Sequence, residues 1–156
     1  SSTGGFTQFA LQQGAAKVLA VEVGTNQLHH SLRQDLRIEL HEKTDIRDFK
    51  TGQKIDLVVA DVSFISLREL LPSIKKLCNA QTDLVLMVKP QFEAAADNLK
   101  HKGVIKNDKI RREILKNFET WVLQHGFYVV DKADSDVAGG KGNLERFYHL
   151  KIASIS

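Results

Sequence analysis

A chain of 156 residues that is 42% hydrophobic and 26% charged has the composition of one ordinary globular domain. Its longest uninterrupted apolar run, residues 84–88, falls far short of the roughly 18 residues a membrane-spanning helix needs. A lone cysteine, Cys78, excludes a disulfide framework within the chain and fits a reducing cytoplasm. The net charge is only +3, yet residues 100–116 hold Lys100, Lys102, Lys106, Lys109, Arg111, Arg112 and Lys116 against Asp108 and Glu113. Such a stripe fits nucleic-acid contact, and equally a solvated helix face.

SSTGGFT at the start is loop chemistry, and residues 6–13 read as a short helix stopped by Gly14. A ligand-cradling loop normally follows a strand, so the first strand of the sheet is expected upstream of residue 1. Residues 17–23, KVLAVEV, read as a strand ending at Glu22; residues 26–33 read as a helix and 38–40 as a brief strand. A loop over 45–54 carries Asp45, Ile46 and Arg47. Residues 55–61 then form a strand, with Ile55, Leu57, Val58 and Val59 predicted to be buried on both faces of a parallel sheet and Asp61 at its end. Ser66 and Glu69 have capping-box spacing, but Pro72 predicts a short turn and then a helix restarted near it. Leu71, Ile74, Leu77 and Cys78 would be its buried face.

Residues 83–89, DLVLMVK, form a second buried strand ending in Lys89 and Pro90. Residues 91–105 show no period and read as a long polar loop. A helix over 107–125 is capped by Asn107 or Asp108 and ended by Gly126, with Ile110, Ile114, Leu115, Phe118, Trp121 and Val122 as its apolar stripe. A strand over 127–130, a glycine-rich turn over 138–143 and a strand over 144–152 complete the chain. The last strand is expected antiparallel, at the edge of a mostly parallel sheet. The alternation defines an α/β fold in one domain, residues 1–156.

In open α/β sheets, ligands gather outside the carboxyl ends of the strands. The tips expected there are the loop over 1–6, Glu22, the Asp45 loop, Asp61 and Lys89. An acid about 18 residues beyond a glycine loop is placed to accept hydrogen bonds from a ribose diol, which suggests an adenosyl or dinucleotide ligand. Lys89 closes an apolar strand, where an ammonium is costly unless paired, so a partner such as Asp61 or a proton-handling role is expected. Glu145 adds a third charged group near that edge. The six histidines are scattered and make no metal set, and no nucleophile–histidine arrangement stands out.

SSTGGFT, VEVGTNQLH, EKTDIRDF, DLVVADVSFISL, LVLMVKPQFE, KGVIKND and KGNLERFYHL, in this order, resemble the bacterial hemolysin-A (TlyA-type) family. These are FtsJ-like, S-adenosylmethionine-dependent 2′-O-ribose methyltransferases of ribosomal RNA. The resemblance covers nearly the whole chain. It implies a Rossmann-like methyltransferase domain, usually preceded by a small S4-type RNA-binding domain that these residues do not include. The family's Lys-Asp-Lys-Glu group then implies catalytic roles for Asp61, Lys89 and Glu145, with no counterpart here for the first lysine. By the same resemblance, Ser2, Thr3, Gly4, Gly5 and Phe6 border the methionine part of S-adenosylmethionine. Glu22 stands where the family usually has an aspartate, Asp45 and Ile46 lie beside the adenine, and Asp61 also borders the cofactor. The implied partner is ribosomal RNA or a ribosomal subunit, with no membrane and no metal.

Two other readings stay open. Asp61-Val62-Ser63-Phe64 sits where base amino-methyltransferases carry an acid or amide, two small residues and a stacking aromatic. A non-catalytic module binding S-adenosylmethionine or RNA would need only part of the same residues.

Overall fold

Short strands and helices alternate along the computed structural model, which describes residues 1–98, 103–139 and 141–154. Lys100 and Lys102 of the basic stretch, and Gly140 of the glycine turn, lie outside the described residues. The chain divides into two units, Ser1–Gly52 and Gln53–Ser156. No helix among the described residues is long and apolar enough to cross a membrane.

The first unit holds α1 (Gly5–Gln12), β1 (Val18–Val21), α2 (His30–Arg33) and β2 (Ile38–His41). Gly14, at φ +99°, ends α1 as its sequence predicts. β1 and β2 pair in parallel, Val18 opposite Ile38 and Val21 opposite His41. Leu11, Ala20 and Leu28 are buried within this unit. α2 starts later than the expected residue 26. Asn26 takes a left-handed φ of +54°, and His29 caps the helix by accepting the Ser31 N–H at 3.3 Å.

The second unit is built on a four-stranded sheet in the order β3-β4-β6-β5, made of β3 (Leu57–Ala60), β4 (Asp83–Val88), β5 (Phe127–Asp134) and β6 (Arg146–Ile152). β3 and β4 are parallel, while β6 runs antiparallel to both β4 and β5. The reversed strand therefore lies inside the sheet, between β4 and β5, and not at the edge its sequence position suggested. It pairs with β4 on one side and β5 on the other, and its Tyr148 and Leu150 side chains are fully buried on the covered face. β5 takes the edge, is mostly exposed, and breaks register between Val129 and Asp131, a bulge of the kind that protects an open edge.

α3 (Leu67–Lys75) joins β3 to β4, and α5 (Asp108–Gln124) leads into β5. The core is Leu71, Leu84, Leu86, Val88, Ile114, Phe118, Val122, Tyr148 and Leu150. Phe118 packs on Tyr148 with ring centroids 5.3 Å apart. Asn107 caps α5 by accepting the N–H groups of Lys109 and Ile110, and Gly126 at φ +81° follows its end.

Four expectations about this unit need correction. The 55–61 strand is not buried on both faces. Among the described residues β3 pairs with β4 and lies at the edge of this unit's sheet, and Leu57 and Val59 remain exposed. Pro72 does not restart a helix. It sits on the exposed side of a continuous α3, where burial of Leu67, Leu70, Leu71 and Ile74 offsets a proline cost of about 3 kcal/mol. The start of the expected loop over 91–105 is helical, with α4 (Pro90–Glu93) followed by a 3-10 turn at Ala94–Asp97. On α5, Ile110 is exposed and Arg111 turns inward, donating to the Leu144 carbonyl at 3.1 Å and to Asp134 at 2.7 Å.

Candidate active site

β3 and β4 lie side by side in parallel register, Ala60 opposite Leu86, so the residues that follow each strand emerge at the same edge. Asp61 follows β3, and Lys89 follows β4 as the N-cap residue of α4. Lys89 Nζ lies 2.7 Å from Asp61 Oδ1 and donates to Ser63 Oγ at 3.0 Å. Only 12% of the Lys89 side chain is exposed, so this pairing is what makes its charge tolerable there. An ammonium has three N–H donors, and the described residues engage two of them.

Lys89 and Glu145 line one pocket of about 400 Å³, together with Ser63, Phe64, Gln91, Phe92, Gly103, Lys141 and Asn143. Glu145 is buried and precedes β6 by one residue. Its carboxylate lies close against Gly139, where a Cβ would displace it from its present position. Buried Asn143 stitches the pocket wall by donating to the Gly103 carbonyl and accepting the Ile105 N–H, each at 2.9 Å. Phe64 stands at the mouth, 90% exposed, at a left-handed φ of +66° and with its ring 5.2 Å from that of Phe92. A bulky residue held at that φ is a strained position kept by its surroundings.

Those surroundings centre on Glu93, which is 1% exposed. Its carboxylate accepts the Ser66 hydroxyl at 2.6 Å and the Leu67 N–H at 2.8 Å, and lies 3.3 Å from Arg68 Nε. Arg68 reaches on to Asp97 through two hydrogen bonds of 2.7 and 3.2 Å. Burial pushes the Glu93 carboxyl up, against the pull of these hydrogen bonds and the Arg68 charge. The segment between β3 and α3 is thus tied to α4 at both ends, by Asp61–Lys89 and by Ser66–Glu93. Reading the sequence overlooked Glu93 and Asn143, and took Ser63 only as a small residue and not as a partner of Lys89. The signal for Glu93 was a lone acid in the otherwise uncharged stretch 90–96.

In the first unit, Ser2, Thr3, Gly4, Gly5 and Phe6 form the entry to α1. Gly4 has φ +103°, and a Cβ there would lie 2.5 Å from both Leu28 and Leu32, so the turn tolerates no side chain. As N-cap it also brings no side chain to the first turn of α1. The Thr3 carbonyl accepts the His29 N–H at 3.0 Å. Glu22 follows β1, and its carboxylate accepts N–H groups from Ser2 at 2.7 Å and Gly24 at 3.0 Å. Partial burial pushes this carboxyl up, but the Gly24 and Ser2 N–H groups pull it down. Asp45 accepts from the guanidinium and the N–H of Arg47, which lower it to about 2, and Ile46 is half-buried. No group of three or more metal-binding side chains occurs among the described residues.

Parallel strand–helix units with one reversed strand, and polar tips gathered at the carboxyl edge, define the class: a Rossmann-like methyltransferase fold. The chain matches the model of the FtsJ-like methyltransferases over residues 1–152 and belongs to that family. It is 44% identical over 151 residues to the 23S rRNA (cytidine-2'-O)-methyltransferase TlyA of Campylobacter jejuni, covering 96% of this chain and 58% of that protein. A solved chain from Streptococcus thermophilus, described provisionally as a hemolysin, superposes with a TM-score of 0.91 at 37% identity over 98% of this chain and 57% of that one. The fold is shared more distantly, at a TM-score of 0.63 and 15% identity over 98% of this chain and 74% of that one, with the N-methyltransferase NodS of Bradyrhizobium japonicum, solved with S-adenosyl-l-homocysteine. The chain thus spans a little over half the length of the TlyA protein it matches.

Proposed function

We propose that this protein transfers a methyl group from S-adenosylmethionine to a ribose 2′-hydroxyl of ribosomal RNA, with 1–156 acting as one methyltransferase domain. The observation that carries this reading is Lys89, paired with Asp61 and sharing a pocket with Glu145, in a chain of the FtsJ-like family.

The first unit suits the cofactor. Among the described residues Glu22 Oε1 accepts only the Gly24 N–H, which leaves it an accepting position for a ribose diol. The uncapped first turn of α1 suits the methionine carboxylate, because helix N-termini favour anions. In this reading Ser2, Thr3, Gly4, Gly5 and Phe6 border the methionine end, and Asp45 and Ile46 border the adenine. When bound, S-adenosylmethionine supplies a methyl already activated by a positively charged sulfur.

What remains for the chain is alignment and a proton. A ribose hydroxyl is a poor nucleophile until its proton leaves, and Lys89 Nζ handles that proton. Asp61 and Ser63 accept from two N–H groups of the nitrogen, so that in its amine form the lone pair takes the hydroxyl proton and the ammonium that results is held by the Asp61 carboxylate. Glu145 closes the pocket on the other side, and exposed Phe64 stacks on the base of the nucleotide being modified.

Replacing Lys89 with alanine is expected to lower methyl incorporation into ribosomal RNA by about 10²–10⁴-fold while S-adenosylmethionine still binds. Labelled methyl transfer and calorimetry on the same variant check this, and full activity overturns the assignment. Mass-spectrometric mapping locates the methyl: a base amino group would favour base methylation, and no transfer by the wild type would favour a binding module.

A further inference from the structure

Charge on the surface of the second unit is unevenly balanced. Every arginine except Arg112 is matched to a carboxylate: Arg33 to Glu42, Arg37 to Asp35, Arg47 to Asp45, Arg68 to Asp97, and Arg111 and Arg146 to Asp134. On the outer side of α5 the pattern reverses. Lys109, Arg112 and Lys116 are exposed, follow one another at spacings of three and four residues, and have no carboxylate partner among the described residues. Residues three and four apart on a helix are neighbours, so these like charges face one another; Asp108 and Glu113 share those spacings and offset part of the repulsion, but form no ion pair with the row among the described residues. Exposed Lys106 stands just ahead of the helix and extends the row.

Topology fixes where this row lies. β4 and β5 both run antiparallel to β6 and hence parallel to each other, so α5 must travel back between them. Its first turns start at the carboxyl edge, the edge that carries Lys89. Asn143 reinforces the placement, because it lines the pocket and holds Ile105, one residue before Lys106. Lys141 brings a further cation to the pocket wall.

We propose that Lys106, Lys109, Arg112 and Lys116 form a phosphate-binding track along α5 that grips the RNA backbone beside the nucleotide in the Lys89 pocket. The proposal rests on the reading that the substrate is RNA. The track contacts phosphates and reads no sequence, so it contributes affinity and register while chemistry stays with the pocket.

The test is a variant carrying Lys109→Gln, Arg112→Gln and Lys116→Gln, compared with wild type and with Lys76→Gln, an exposed lysine just past α3 at the opposite edge of the sheet. Binding of purified ribosomal RNA is measured across a salt series, and methyl transfer is measured separately. The track predicts that the slope of log affinity on log salt falls by about 2–3 in the triple variant and not in Lys76→Gln. KM should rise about tenfold or more with kcat unchanged, because uniform binding is what is lost. Each single glutamine variant should show about a third of the effect, which guards against a folding defect in the triple. An unchanged slope and KM overturn the proposal. So does loss of binding to anionic phospholipid vesicles with RNA binding intact, since that would assign the row to a membrane surface. If wild type binds RNA with the predicted slope yet transfers no methyl, the track stands and the ribose-methylation reading falls.

Discussion

Two residues, Phe64 and Glu93, show how the pocket mouth is held. An aromatic ring that is 90% exposed and fixed at a left-handed φ gains nothing from burial, so its value lies in what it meets. Base–aromatic stacking is worth about 1–3 kcal/mol, and Phe64→Ala should lose that much of kcat/KM on RNA, roughly 5–150-fold, while S-adenosylmethionine binding is retained. Glu93 works from beneath. Glu93→Ala leaves the Ser66 hydroxyl and the Leu67 N–H without an acceptor in the interior and should cost about 2–5 kcal/mol, read from urea unfolding; Glu93→Gln keeps an acceptor and should cost about 1–3 kcal/mol. Its pH signature is set by burial. The folded carboxyl binds its proton more tightly than the unfolded one, so the native state holds a proton the unfolded chain has already lost. This contribution to stability therefore falls as pH rises above about 4.5, and Glu93→Gln removes that slope. Asp61 and Lys89 stood out in the sequence because each ends an apolar strand with a charge. Glu93 did not, because its partners Ser66 and Leu67 lie 27 and 26 residues away and only the fold brings them together.

At the scale of elements, periodicity predicted α5 to within a residue or two at each end, because capping and apolar spacing agree there. It misjudged α3, where a local rule against proline gave way to four buried leucine and isoleucine side chains. It also misread α4, whose single turn is too short to show a period and depends on Glu93 for its anchor. Asp134 ties three elements at once, accepting from Arg111 of α5 and Arg146 of β6 while standing on β5. The Arg146 guanidinium, and then that of Arg111, lower its carboxyl from an ordinary 3.8 to about 2. As pH falls, the unfolded chain takes up the proton first. The stabilisation is present above about pH 4 and lost as pH falls toward about 2. The side chain is 41% exposed, and solvent screening keeps the effect to about 1 kcal/mol or less. Asp134→Asn should flatten that acid limb in urea midpoints compared between about pH 5 and about pH 2.5.

For the molecule as a whole, the alternation of strand and helix and the reversal of the last strand were legible from pattern and turns. Strand order was not. Nothing local in residues 146–152 says that they insert between β4 and β5, since either edge would satisfy the same alternation. That insertion bears on how the protein emerges during synthesis. Among the described residues β5 pairs with β6 alone, so it leaves the ribosome before its partner, and β4 waits with one flank open while about 60 more residues are added. At about 5–20 residues per second, that wait lasts roughly 3–12 seconds. A nascent chain halted before Arg146 thus carries Lys89 just past a strand that has β3 beside it but lacks its second neighbour, and the pocket is among the last features to form.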